Sequence, residues 1–312
     1  MLSKTSLFLL ACALSVVLAL QALPTRTAPA AASTPFDTAE AMGYATYLAS
    51  TIGQRPAGSE GASLAAGWLA GTFGVPTYTV SIQPFNLTRY GQELVGMNVI
   101  ATKAGQPDYG TIYVGAHYDT VAPYDGLLWG GPGANDNASG TAVLLELSRA
   151  LAADHLNPTI KFIAFGGEED SLAGSTYYVW HLPAADRMRA IGMINLDCVG
   201  VGDALYIYVS DRKYQPFAEG LGIPAEYIGL ETWGQSDHVP FGNADIPSAH
   251  LNMQLNGSSC GPDYHKSTDT ADKLQPSAIE RVGNGALQAI RHLASIATPH
   301  IIYQSFFPVI SQ

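Results

Sequence analysis

The stretch TIYVGAHYDT, residues 111–120, opens as a run of apolar and β-branched residues and closes on a histidine and an aspartate two positions apart. On an extended segment, residues i and i+2 point to the same side, so His117 and Asp119 share a face. TIKFIAFGGEED, residues 159–170, repeats the plan: an apolar strand that runs into three consecutive acids. IGMINLD, residues 191–197, ends its apolar run on Asp197. Strands that collect polar groups at their ends are expected where an α/β sheet places its ligand crevice.

Outward from these stretches, strands are expected over 77–85, 96–102, 111–117, 159–165, 191–196, 204–209 and 247–252. Helices are expected over about 36–52, 58–72, 139–153, 171–181, 213–221 and 276–297, with Ser59 in the N-cap region of the second. Strands separated by helices of this length predict an α/β fold, three-layer α/β/α, with a central mostly parallel (mixed) sheet. Length alone gives a prior of roughly two domains of ~150 residues, but no internal repeat, linker or low-complexity tract divides the chain. One domain over 36–300 is the economical reading. The apolar tail at 301–312 has no assigned role.

The chain has 312 residues, 47% hydrophobic and 13% charged, which fits a packed core and excludes a disordered polyelectrolyte. A net charge of -11 argues against nucleic acid and anionic membrane surfaces as partners, since both reward Lys and Arg. Lys4 followed by the apolar run of residues 5–20, with small residues at Ala19 and Ala22, has the layout of a secretory signal peptide, taken as 1–22. The run is short for a membrane span, so no stable membrane insertion is expected once the signal is removed. Leu-Leu-Ala-Cys12 also fits a lipoprotein anchor loosely. Residues 23–35 read as a flexible leader. The expected destination is secreted or cell-envelope. With Cys12 removed, Cys198 and Cys260 remain. An oxidising compartment permits a disulfide between them, and spacing does not show whether they meet.

Polar clusters follow several of the strands. A histidine ligand needs an acceptor on its second ring nitrogen, and Asp119 or a nearby carbonyl can supply it to His117. GANDNASG, 133–140, precedes the helix from 139; Asp136 there reads as a cap or as a carboxylate with two oxygens to share between two cations. Glu168, Glu169 and Asp170 read as acids placed at a helix start or as charges that need a cation to offset them. Adjacent glutamates diverge, so one can ligate while the other faces a water. YHKSTDT, 264–270, brings His265 and Asp269 into one loop. Two His, two Asp and one Glu, without thiolates, suit zinc or a similar divalent ion.

GAHYDT, GANDNASG, FGGEED, INLD and YHKSTDT, in this order, closely resemble the secreted bacterial co-catalytic zinc aminopeptidases of the leucine aminopeptidase type. Arg55–Glu60 and Ser236–Phe241 are similar to that family as well. The resemblance covers about 40–297 and implies a zinc-peptidase-like fold with two zinc ions per chain. His117 and Asp197 would hold one, Glu169 and His265 the other, and Asp136 would bridge them. Glu168 would be the general base and acid. Asp119, Asp269 and Asn137 would support the ligands, with Asp119 close to the catalytic groups. The implied reaction is hydrolysis of the N-terminal peptide bond by metal-activated water, on peptides with a free N-terminus and an apolar first residue, by a monomer. Where some relatives carry a tyrosine for the oxyanion, this chain has Thr232-Trp233-Gly234-Gln235, so Trp233 is the candidate donor. Some relatives also have a disulfide in that stretch, which this chain lacks. Cys198, next to a ligand, is expected to line the specificity pocket, and His238 to lie near substrate. The rival readings are a related zinc carboxypeptidase, a glutaminyl cyclase, an inactive metal-binding domain and a serine hydrolase. The last lacks a Gly-x-Ser-x-Gly elbow.

Overall fold

A computed structural model describes residues 33–106, 108–123, 130–231 and 235–297. The expected signal peptide, most of the leader, the tail at 301–312 and Trp233 lie outside them. Thr34 and Pro35, within the expected leader, accept hydrogen bonds through their carbonyls from Arg291 and Arg149.

The chain enters through helix α1 (Thr38–Thr46), capped by Asp37, whose carboxylate accepts from the amides of Ala39 and Glu40. A wider helical turn, Tyr47–Ile52, prolongs it. Helix α2 (Glu60–Thr72) starts at Ser59, whose hydroxyl accepts from Ala62 N at 3.1 Å. Such a cap contributes about 1 kcal/mol. A hairpin follows, β1 (Thr79–Arg89) and β2 (Gln92–Lys103), closed by Tyr90-Gly91 with both residues at positive φ. Turns of that hand match the twist of the two strands. Then come β3 (Thr111–His117), α3 (Ser139–Leu151), β4 (Thr159–Phe165), α4 (Ala173–Trp180), α5 (Ala184–Met188) and β5 (Ala190–Leu196). They are followed by β6 (Ala204–Val209), α6 (Gln215–Gly220), β7 (Tyr227–Leu230), α7 (His238–Asn243), β8 (Ser248–Leu255), β9 (Ser258–Ser259) and α8 (Pro276–Ile296).

The strands form one sheet in the order β1-β2-β4-β3-β5-β8-β6-β7, with β9 paired to β8. The centre, β4-β3-β5-β8, is wholly parallel; the pairings β1–β2, β2–β4, β6–β8 and β8–β9 are antiparallel. The mixed character is therefore stronger than the alternation of strands and helices suggests.

Alternation along the central strands sorts their side chains to two faces. Ile112, Val114 and Ala116 of β3, with Ile160, Phe162 and Ala164 of β4, join the large core under α1, α2, α3 and α8. Tyr113, Ile163, Phe165 and Met193 join a second core with Tyr178 and Val179 of α4 and Phe241 of α7. Helix α8 buries Ala278, Ile279, Val282, Ala286, Ile290 and Leu293, the i, i+3, i+4 stripe of an amphipathic helix. This is the expected three-layer arrangement.

The hairpin strands extend well beyond the expected 77–85 and 96–102. Asn86, Thr88 and Arg89 are polar because β1 is an edge strand, and Gln92 and Glu93 lie on the part of β2 that pairs with β1 alone, so these residues do not form a loop. Strand β7 and helices α5 and α7 are four to six residues long, too short for periodicity to show.

Candidate metal centre

The parallel centre of the sheet aims its strand ends at one place. His117 is the last residue of β3, and Asp197 directly follows β5. Glu168 and Glu169 follow β4 after Gly166-Gly167, with Gly167 at φ +73°. Asp136 lies in the segment entering α3, and His265 in the loop beyond β8 and β9.

Three groups of ligand-type atoms result: one joins His117, Glu168 and Glu169, and the other two are trios that share Asp136. His117 Nε2 is 3.2 Å from Asp136 Oδ1 and 3.3 Å from Asp197 Oδ1. His265 Nε2 is 3.2 Å from Asp136 Oδ2 and 3.1 Å from Glu169 Oε2. Each trio lies within 4.8 Å, and Asp136 turns one oxygen to each. Ligands about 2.0 Å from a tetrahedral zinc stand about 3.3 Å from one another. The observed spacings fit that requirement, and the donors are nitrogens and oxygens only.

The supporting bonds explain the convergence. Asp119, fully buried, accepts from Glu168 N at 3.2 Å through one oxygen and from Glu169 N at 3.3 Å through the other. Its Oδ1 also stands 3.6 Å from His117 Nδ1. Asp269 accepts from the amides of Asn135 and Asp136 at 2.9 and 3.0 Å, so it anchors the bridging segment. Asn137 donates to Leu196 O and accepts from the amides of Gly140 and Cys198, tying that segment to the end of β5. The peptide bond between Asp136 and Asn137 is cis. Ser236 donates to Asp197 Oδ2 at 2.8 Å. Arg55, buried, donates to Tyr118 O, Pro132 O and Gly133 O, clamping the His117 and Asp136 segments together.

The electrostatics are those of a crowded acidic site. Burial, reinforced by neighbouring carboxylates, raises Glu168 well above the usual carboxylate range. Burial and Asp136 push Glu169 up to about 7. Burial opposes ionisation of Asp136 and Asp197, but the histidines outweigh it and hold both below their ordinary values. His265 is pushed up to about 10, its bonds to Asp136 and Glu169 overcoming burial. Positive charge is drawn into the site on every count.

Two expected residues fall elsewhere. Cys198 is fully buried and bonded to Cys260, so it does not line the pocket as a free thiol; its partner Cys260 does. His238 is buried against Glu231 at 3.2 Å and does not face the trios. Trp233 lies outside the described residues. Beside Asp136, Glu168 and Asp197 opens a cavity of about 200 Å³ whose far wall includes Glu231, His250 and Asn252. Sequence reasoning missed these three. The available signal was polar residues at alternate positions, His250, Asn252 and Gln254, on an otherwise buried strand.

The chain is similar to known proteins in sequence and in fold. The description of peptidase family M28 matches residues 98–290. Leupeptin-inactivating enzyme 1 of Streptomyces exfoliatus is 31% identical over 313 residues, covering 91% of this chain and 68% of that one. Aminopeptidase YwaD of Bacillus subtilis is 36% identical over 189 residues, covering 57% of this chain and 40% of YwaD. Among solved structures, BSAP, a zinc aminopeptidase from Bacillus subtilis, superposes with a TM-score of 0.71 at 21% identity, over 82% of this chain and 95% of that one. Together with the ordered strand-end motifs, these matches mean that the chain belongs to peptidase family M28.

Proposed function

We propose that the protein is an aminopeptidase that carries two zinc ions per chain. His117 and Asp197 would hold one ion, Glu169 and His265 the other, and Asp136 both. The carrying observation is the pair of trios sharing Asp136, with Glu168 in the wall of the adjoining cavity. When bound, such a pair supplies an acidified water and a Lewis-acid contact for the scissile carbonyl.

The remaining work belongs to side chains. Glu168 takes the proton of the attacking water on a carboxylate oxygen and delivers it to the leaving amine nitrogen. Burial, which raises its pKa, suits a group that must keep a proton between two transfers. Asp119 holds the backbones of Glu168 and Glu169 at once, so the base and the ligand keep separate directions. Ser236 occupies one oxygen of Asp197 and leaves the other toward His117.

The cavity's charge favours an amino over a carboxyl terminus. Asp136, Glu168, Asp197 and Glu231 line it, and no Lys or Arg does among the described residues. A C-terminal carboxylate would meet four acids and no Lys or Arg among the described lining residues, which counts against the carboxypeptidase. Intact Glu168 counts against an inactive binding domain. Export is part of the same proposal, supported by the pattern of residues 1–22 and by the Cys198–Cys260 disulfide. No helix among the described residues is long and apolar enough to cross a membrane.

The test is hydrolysis of a panel of aminoacyl p-nitroanilides by zinc-loaded protein, beside their N-acetylated forms and E168Q protein. Free-amine substrates alone should be cleaved, with activity lost on chelation. In E168Q, kcat should fall by about 10²–10⁴-fold while zinc content stays at two per chain. Cleavage of blocked substrates, or full activity in E168Q, would remove the reading.

A further inference from the structure

The walls of the cavity beside Glu168 bear on the substrate's first side chain, given the aminopeptidase reading above. The cavity is about 200 Å³ and adjoins Asp136 and Asp197. Its other walls include Glu231, Gln235, His250, Asn252, Ser259 and Tyr264, and no aliphatic side chain is among the described residues that line it. Much of the exposed lining is hydrocarbon from these same side chains, so an apolar stem fits here and the polar groups are left to meet what the stem carries at its end.

Glu231 is set in advance. It follows β7, and its carboxylate stands 3.2 Å from His250 Nδ1 on one side and 3.2 Å from His238 Nε2 on the other. His238 is fully buried and His250 nearly so, and β8 holds His250 in register between β5 and β6. A carboxylate held from two sides does not have to give up rotational freedom when it meets a ligand. The nearby amide and hydroxyl groups are also ordered, with Asn252 donating to Asp197 O and accepting from Ser259 and Gln254.

We propose that this cavity receives the first side chain of the substrate and that Glu231 selects a cationic one, lysine or arginine, over apolar and acidic ones. This replaces the apolar preference that the resemblance implies. An acidic side chain would face Glu231 and Glu168 together, and an aliphatic one would gain no ion pair from them.

The test compares kcat/KM of the zinc-loaded full chain on the p-nitroanilides of lysine, arginine, norleucine, leucine and glutamate. Norleucine keeps the straight stem of lysine without its charge, so the lysine-to-norleucine ratio isolates the effect of the charge, and E231Q assigns it to Glu231 among the four acids. That ratio should exceed about tenfold in the wild type and shrink by about tenfold or more in E231Q, because the charge pair is lost while the stem contacts remain. A ratio near one in the wild type overturns the proposal and leaves the aminopeptidase reading standing. So does an unchanged ratio in folded, zinc-replete E231Q. Silence on every free-amine substrate, with zinc bound, removes both. A wild-type ratio near one overturns the proposal even where E231Q fails to fold, and E231D, which keeps the charge, then stands in for the assignment to Glu231 by retaining the ratio only in part.

Discussion

The side chains around the trios divide into those that face the reacting atoms and those that hold them. Asp269 is of the second kind: its two oxygens take the amides of Asn135 and Asp136. D269N keeps the size but replaces one acceptor with a donor aimed at an amide. It should weaken zinc binding or activity by about 10–100-fold, read by competition with a chelator and by kcat/KM. Glu231 carries a pH signature. Burial works against its charge, but His250 and His238 outweigh that and hold it down at about 2. A carboxylate whose folded pKa lies below its unfolded value of about 4.3 contributes stability above that pH and loses it as the pH falls through the folded value. Thermal unfolding of zinc-stripped protein between about pH 5 and pH 2 should therefore fall more steeply for the wild type than for E231Q. Equal slopes would mean that Glu231 is not held as described. The proposed ligands stood out in the sequence through ordered motifs, most of them at an apolar strand end or a glycine-rich turn. Glu231 and His250 were not, because their pairing joins two elements 19 residues apart.

Short segments fail or succeed as units at the element scale. Helix α3 enters the core directly behind Asp136, and Gly140 in its first turn lies against the end of β5. A Cβ there would stand 2.2 Å from Leu196 O and 2.5 Å from Asn137 Oδ1. Backbone cannot yield that distance cheaply in a packed interior. G140A should displace the Asp136 segment from Asp197, lowering both zinc content and activity; metal analysis after gel filtration beside a thermal melt would show it. A variant with full zinc and unchanged melting would contradict this packing. The long helices and the central strands were legible because burial on one or two faces imposes a period on many residues. The extra length of the β1–β2 hairpin was not, because an edge strand exposes polar residues that read like a loop. Strand β7 and helices α5 and α7 escaped notice because four to six residues hold less than two turns or two full alternations.

Across the whole molecule, the Cys198–Cys260 disulfide joins the residue after Asp197, just beyond β5, to the residue after β9, at a sequence separation of 62. A cross-link over a loop of that length contributes about 2–4 kcal/mol. The C198S/C260S double variant should lose that much in denaturant titration and bind zinc less tightly, since Asp197 and the loop to His265 then move independently. Unchanged stability would mean that the bond adds nothing to the fold. By itself the sequence determined the α/β class and the layered sheet, and five ordered motifs implied a candidate ligand set by resemblance. The first two follow from local rules, namely the period of apolar residues and the turn and cap residues that end each run. Only the tertiary structure decided that Asp136 turns one oxygen to each trio, that Asp119 grips the backbone of both glutamates, that Cys198 pairs with Cys260, and that Glu231 and His250 wall the cavity. Those facts depend on strand order and on register between segments far apart in the chain, and a one-dimensional pattern does not carry distances across a sheet.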